Sequence, residues 1–182
     1  MTLKSKHQLD GRAGWLLGAA EDASRALGEW ASQGIALLGC GLIFSAVRVP
    51  GDLVHAAART DDEQEIAAFL RHSLDGGPVI RDRYARQYYV LVPVGTELWK
   101  AARPGRLEHL GRDCYLGVPK VECTTSDGRA YWCVPMTSPG RLCSMTRLRE
   151  LINDGEKRLQ AEAEDACPSL SGGRPEKPGG RA

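Results

Sequence analysis

The sequence predicts a single α+β domain, and three observations carry that prediction. Apolar residues recur at helical spacing near the N-terminus, between residues 52 and 74, and again from 145 to 164. Between these segments lie short apolar runs, four of which close on Val49-Pro50, Val92-Pro93, Val118-Pro119 and Val134-Pro135. Proline offers no N–H to a ladder and pushes its predecessor toward an extended conformation, so each pair marks a strand's exit from a sheet. Finally, 182 residues suffice for one sizeable core and are too few for two comfortable ones. The expected architecture is a mixed β-sheet of roughly five to seven strands with helices mainly on one side. A flexible N-terminus over 1–12, a domain over 13–164 and a disordered tail over 165–182 complete it.

The elements follow in order. From Gly14 to Gln33, Trp15, Ala19, Ala23, Leu27 and Trp30 form one stripe, which predicts one N-terminal helix with Gly34 at its C-terminal cap. The period then changes. Ile35 to Val49 is a nearly continuous apolar run broken at Gly39-Cys40-Gly41, as expected for two buried strands meeting at a tight turn or bulge. Asp52 is placed to cap a short helix, and Asp61 or Asp62 a second one, with Glu65 in the reciprocal capping position.

Asp75-Gly76-Gly77-Pro78 breaks the helical pattern. Pro78 to Asp82 and Arg86 to Val92 then read as two strands across a short loop, and Gly95 to Leu110 as short helical turns around Pro104-Gly105. Tyr115–Val118 and Arg129–Val134 flank Ser126-Asp127-Gly128, a composition suited to a hairpin turn. Met145 to Glu164 returns to helical spacing through Leu148, Leu151 and Leu159, with Gly155 as its weak interior point. Pro168 to Ala182 is rich in glycine and proline and cannot bury a core.

Composition excludes more than it names. A formal net charge of +1 argues against a protein that coats a polyanion by bulk charge, while leaving room for a local basic patch. The run Ile35 to Val47 is shorter than the roughly 20 residues a spanning helix needs, so no membrane span is expected. Residues 1–12 carry no apolar signal-peptide region, which points to a reducing cytoplasm in which the six cysteines remain thiols.

Candidate chemistry is sparse. Cys114, Cys123, Cys133 and Cys143 recur about every ten residues with His109 nearby, yet no C-x-x-C pair occurs, so buried thiols are favoured over zinc. No histidine shares a motif with a cysteine, which disfavours a catalytic dyad. Asp61, Asp62, Glu63 and Glu65 precede an apolar helical segment, where capping explains them better than metal binding does. Gly39-Cys40-Gly41 lacks the remaining residues of a phosphate loop. No cofactor is expected, and no catalytic or metal residue is assigned.

The least ordinary segment is Arg81 to Tyr89, where cations and aromatics interleave at the predicted hairpin. Arg81, Arg83, Arg86, Tyr84 and Tyr88 are the candidate nucleic-acid contacts, because guanidinium groups hold phosphates while aromatic rings stack bases. From Arg81 to Arg112, seven Lys/Arg face three carboxylates. A wet hairpin carrying core tyrosines is the plainer reading of the same residues.

The helix followed by Gly-Ile-Ala-Leu-Leu-Gly-Cys-Gly and an apolar strand, carried by Trp30 to Pro50, resembles the N-terminal part of bifunctional DNA primase/polymerase domains. Phe44 to Pro50, Gly77-Pro78-Val79, Tyr89 to Thr96 and Tyr115 to Pro119, in that order, more closely resemble short bacterial degenerate relatives of that family. The resemblance implies that active members end the strand after the glycine turn in Asp-x-Asp, which binds the metal ions for nucleotidyl transfer. Here that strand reads Ala46-Val47-Arg48. Two-metal phosphoryl chemistry needs anionic oxygen ligands, and a methyl group and a guanidinium supply none. The family's Ser-x-His element is missing as well, since Ser5-Lys6-His7 matches only in letters and precedes the core. The implied function is a non-catalytic primase/polymerase-like accessory or regulatory module whose partner is nucleic acid or a replication or regulatory protein. The alternative is a protein-interaction domain without nucleic-acid affinity, for which Trp99 and Trp132, set in partly polar segments, are the sequence evidence.

Overall fold

The computed structural model describes residues 10–95 and 107–165. Its elements run α1 (Gly11–Leu17), α2 (Ala23–Gln33), β1 (Ile35–Gly39), β2 (Ser45–Pro50), α3 (Gly51–Ala58), α4 (Glu63–Ser73), β3 (Val79–Asp82), β4 (Gln87–Val92), β5 (Glu108–Leu110), β6 (Tyr115–Pro119), β7 (Ala130–Val134) and α5 (Met145–Asp165). The α+β class is as expected, and each of the four Val-Pro pairs closes a strand: β2, β4, β6 and β7.

Five strands form one sheet in the order β5-β2-β4-β3-β7, while β1 and β6 form a separate pair. Every pairing among the described residues is antiparallel, so the single mixed sheet expected from sequence is instead two antiparallel ones. The large sheet is buried on both faces, and alternation along its strands divides the core in two. Val47, Val49, Tyr88, Val90 and Val79 face α3, α4 and α5. Ala46, Ile80, Leu91 and Trp132 face the β1–β6 pair with α1 and α2.

The N-terminal helix is two helices. Gly18 ends α1, and the Asp22 side chain accepts from the Ser24 and Arg25 amides to start α2. An apolar stripe does not register such a break, because Ala19 stays buried in the connection. Helix α1 includes Gly11 and Arg12, which the sequence predicts within a flexible N-terminus, and Asp10 caps it by accepting from the Arg12 amide. The Arg12 guanidinium beside it holds the Asp10 carboxyl down at about 2.

At Gly39-Cys40-Gly41 the chain turns, with Gly41 at φ 83 and its amide donating to the Phe44 carbonyl. The turn carries the chain from one sheet to the other, so β1 and β2 do not pair with each other. Helix α4 starts at Asp62, which accepts from Gln64 and Glu65. The reciprocal bond runs through Thr60: its hydroxyl accepts from the Asp62 amide and donates to Glu65. Asp52 binds the adjacent Leu53 amide inside α3, whose N-cap is Pro50.

Two further expectations are corrected. Of the span Gly95–Leu110, read as short helical turns around Pro104-Gly105, residues 96–106 lie outside the described set, and Glu108, His109 and Leu110 form instead edge strand β5, pairing with Arg48, Val47 and Ala46. The hairpin expected across Ser126-Asp127-Gly128 does not form, since β6 pairs with β1 and β7 with β3. The connection crosses between sheets, tied by the Trp132 amide donating to Cys123 and the Trp132 indole N–H donating to Pro119. Trp132 is therefore a core side chain, 1% exposed, and no longer speaks for an interaction surface. Trp99, Cys167 and the 168–182 tail fall outside the described residues.

Candidate functional site

The β3–β4 hairpin forms as expected, and it separates the five candidate contacts into two sets. Arg83, Tyr84 and Arg86 are exposed on the turn, Tyr84 at 81%. Arg81 and Tyr88 are buried and directly opposed across the ladder. Buried among core residues, these two cannot lie against a strand laid over the turn.

The turn is locally determined. The Asp82 carboxylate accepts from the Ala85 amide, the Arg86 amide donates to the Arg83 carbonyl, and Arg86 takes φ 55. Asp82 also pairs with Arg129 at 3.6 Å. Arg83 reaches Glu63 at 3.7 Å and donates to the Ser126 carbonyl. The Arg86 guanidinium has no ion pair among the described residues. The turn thus presents an unpaired cation beside a solvent-facing phenol ring.

Arg81 lies on the helix-facing side of the sheet, its guanidinium 4.2 Å from the centre of the Tyr88 ring. Tyr131 opposes it from β7. The Tyr88 hydroxyl is 3.4 Å from His55 Nε2, and His55 Nδ1 is 2.7 Å from Asp61. Burial raises the Tyr88 phenol, more than the neighbouring Arg81 charge lowers it. Of these groups Arg81, His55 and Asp61 line a cleft of about 740 Å³ between α3, the end of α5 and the hairpin. Gly51 and Arg86 edge it, and Arg158 and Leu159 of α5 form the facing wall. Sequence reasoning found Arg81 and Arg86 but missed His55 and Arg158. No local signal marks them, because α5 reaches α3 only through the fold.

Ala46 and Arg48, where the resemblance would put metal ligands, lie elsewhere. Ala46 is fully buried in the core, and Arg48 pairs with Glu108 of β5 at 2.9 Å. Neither opens onto the cleft described above. Among the described residues no group of three His, Cys, Asp or Glu could hold a metal ion, and the five described cysteines are free thiols. Burial pushes Cys40 and Cys133 up to about 12 and raises Cys143 further, which makes them poor nucleophiles. No helix among the described residues is long and apolar enough to cross a membrane.

No family model, curated protein or solved structure matches this chain.

Proposed function

We propose that this chain is a non-catalytic, primase/polymerase-like binding module that contacts single-stranded nucleic acid through the β3–β4 turn. The observation that carries this reading is Tyr84, exposed at the tip of the hairpin between Arg83 and Arg86, the latter without an ion pair among the described residues. A ring and two guanidinium groups in that order suit stacking on one base and contact with its flanking phosphates. Burial of Ala46 and the Arg48–Glu108 pair support a module without nucleotidyl transfer, because neither position could join a carboxylate ligand set.

A gel shift with single-stranded DNA at low salt tests the proposal. Binding that falls with added salt and is lost in Arg83→Ala/Arg86→Ala supports it, and no binding at low salt removes it. Primer extension in magnesium or manganese would overturn the non-catalytic half.

A second reading, a protein-interaction domain, is favoured by one patch. Leu37 and Tyr115 on the β1–β6 pair and Leu42 in the following turn are 49%, 47% and 66% exposed. Recovery of one protein partner after nuclease treatment, lost in Leu37→Asp, would select this reading over the first.

A further inference from the structure

We propose that the cleft between α3, α5 and the β3–β4 hairpin is a binding site for a small phosphomonoester, with Arg81 as the residue that receives the phosphate. Arg81 is only 8% exposed, and its Nη1 is buried with no hydrogen-bond partner. No carboxylate pairs with it among the described residues. Its chain neighbour Asp82 points to the opposite face of the sheet and is taken by Arg129 and the Ala85 amide. The Tyr88 ring offers a quadrupole rather than a hydrogen-bond acceptor, so it steadies the cation without satisfying its N–H groups.

A guanidinium withdrawn from water without a counter-ion is costly, and folding alone supplies no reason to keep one there. An anion entering the cleft would provide both the missing charge and the missing acceptor. The opposite wall repeats the feature: Arg158 Nε is also buried without a partner. Two guanidinium groups with unsatisfied N–H donors thus border one cavity, and Arg86 stands at its edge. Planar guanidinium forks match the oxygens of phosphate.

The backbone leaves room for this arrangement. A Cβ at residue 51 would come within 3.2 Å of Arg81 Nη1 and 2.7 Å of the Arg86 carbonyl, so glycine alone fits there without displacement. The carboxylates of the cleft are committed or peripheral. Asp61 is held by His55 and its side chain is 94% exposed, Asp52 accepts from the Leu53 amide, and Glu162 and Asp165 are exposed near the end of α5. They repel a polyanion at the rim, which favours a compact ligand over an extended strand. At about 740 Å³ the cleft is far larger than bare phosphate and lies in the size range of organic-ligand sites. Ala56 and Leu159 provide apolar wall for the organic part.

This inference does not rest on the nucleic-acid reading: Arg81 and Arg158 lie off the exposed face of the turn, and Arg86 at the cleft edge is the one residue common to both. Isothermal titration of the full chain with inorganic phosphate, adenosine 5′-monophosphate and adenosine tests it. Phosphate and the monophosphate should bind, the monophosphate more tightly, and adenosine should not. Arg81→Met should weaken monophosphate binding at least tenfold, and Arg158→Gln several-fold, with circular dichroism unchanged. Without ligand, Arg81→Met should melt at the same temperature as the parent or higher, because it removes an uncompensated buried charge. Phosphate should raise the melting temperature of the parent but not of Arg81→Met. Equal binding by Arg81→Met, equal binding of adenosine, or no binding of either phosphate compound at millimolar concentration would overturn the proposal. Should Arg81→Met fail to fold, unchanged binding by Arg158→Gln, at a partly exposed helix position, would overturn it as well.

Discussion

Gly155 in the middle of α5 lies directly against the Leu53 carbonyl of α3. A Cβ at residue 155 would stand 2.5 Å from that oxygen and 2.8 Å from Leu53 Cδ2. Glycine weakens a helix interior, yet here it lets two helices approach closely enough to form the wall of the cleft. Gly155→Ala should therefore destabilise the protein by about 1–3 kcal/mol through overpacking, despite a helix-propensity gain of about 1 kcal/mol. Urea denaturation measures this, and a midpoint equal to or above the parent's would refute the close-approach argument.

Asp62 starts α4 by accepting two amide hydrogens, and the Thr60 hydroxyl accepts from the Asp62 amide and donates to Glu65. Asp62→Ala should cost about 1 kcal/mol, whereas Asp62→Asn should retain most of the stability, because asparagine is as good a cap. Thermal melts of the two variants decide the matter. Equal losses would mean that charge rather than capping is what Asp62 contributes.

Trp132 fills the centre of the second core and donates its indole N–H to the carbonyls of Pro119 and Lys120. Trp132→Ala should cost about 3–5 kcal/mol through lost packing. Trp132→Phe keeps most of the volume but leaves the carbonyls without their donor, at about 1–3 kcal/mol. If chemical denaturation finds Trp132→Phe as stable as the parent, the cross-sheet hydrogen bonds contribute nothing.

Thiol burial sets an alkaline limit. Burial pushes the Cys133 and Cys40 thiols up to about 12 in the folded chain, against about 8.5 for an unperturbed thiol. Above about 8.5 the unfolded chain releases protons that the folded chain keeps. Stability is therefore fully present below that pH and declines as pH rises toward 12. Cys133→Val should flatten this decline in denaturation curves collected from pH 8 to 10. Native-state thiol labelling should reach the partly exposed Cys114 and Cys123 before Cys40, Cys133 or Cys143. Rapid labelling of Cys143 in the folded protein would contradict its packing.

His109 on β5 gives the acidic counterpart. Its Nε2 is buried without a partner, and burial lowers its pKa. The neutral ring suits the folded state, so the associated stability is present above about 6.5 and is lost as pH falls through the lowered folded value. His109→Gln should reduce the dependence of the melting temperature on pH between about 7 and 5; an unchanged slope would assign that dependence elsewhere.

The sequence alone determined what is local. Helical stripes, capping aspartates, the Val-Pro strand ends and the Arg81–Tyr89 hairpin are properties of neighbouring residues, because hydrogen bonding and proline sterics act over a few positions. Only the tertiary structure decided what depends on remote partners. A β-strand's period places residues on two faces but does not name the strand beside it, so β6 and β7 read as one hairpin while pairing in different sheets. The same limit applies at the candidate site. Alternation within the hairpin could not tell that Arg81 would be buried beneath α3, with Arg158 of α5, more than 70 residues later in the sequence, brought opposite it. Whether a guanidinium meets water or an empty acceptor position is set by what packs over it, and packing is a property of the whole fold.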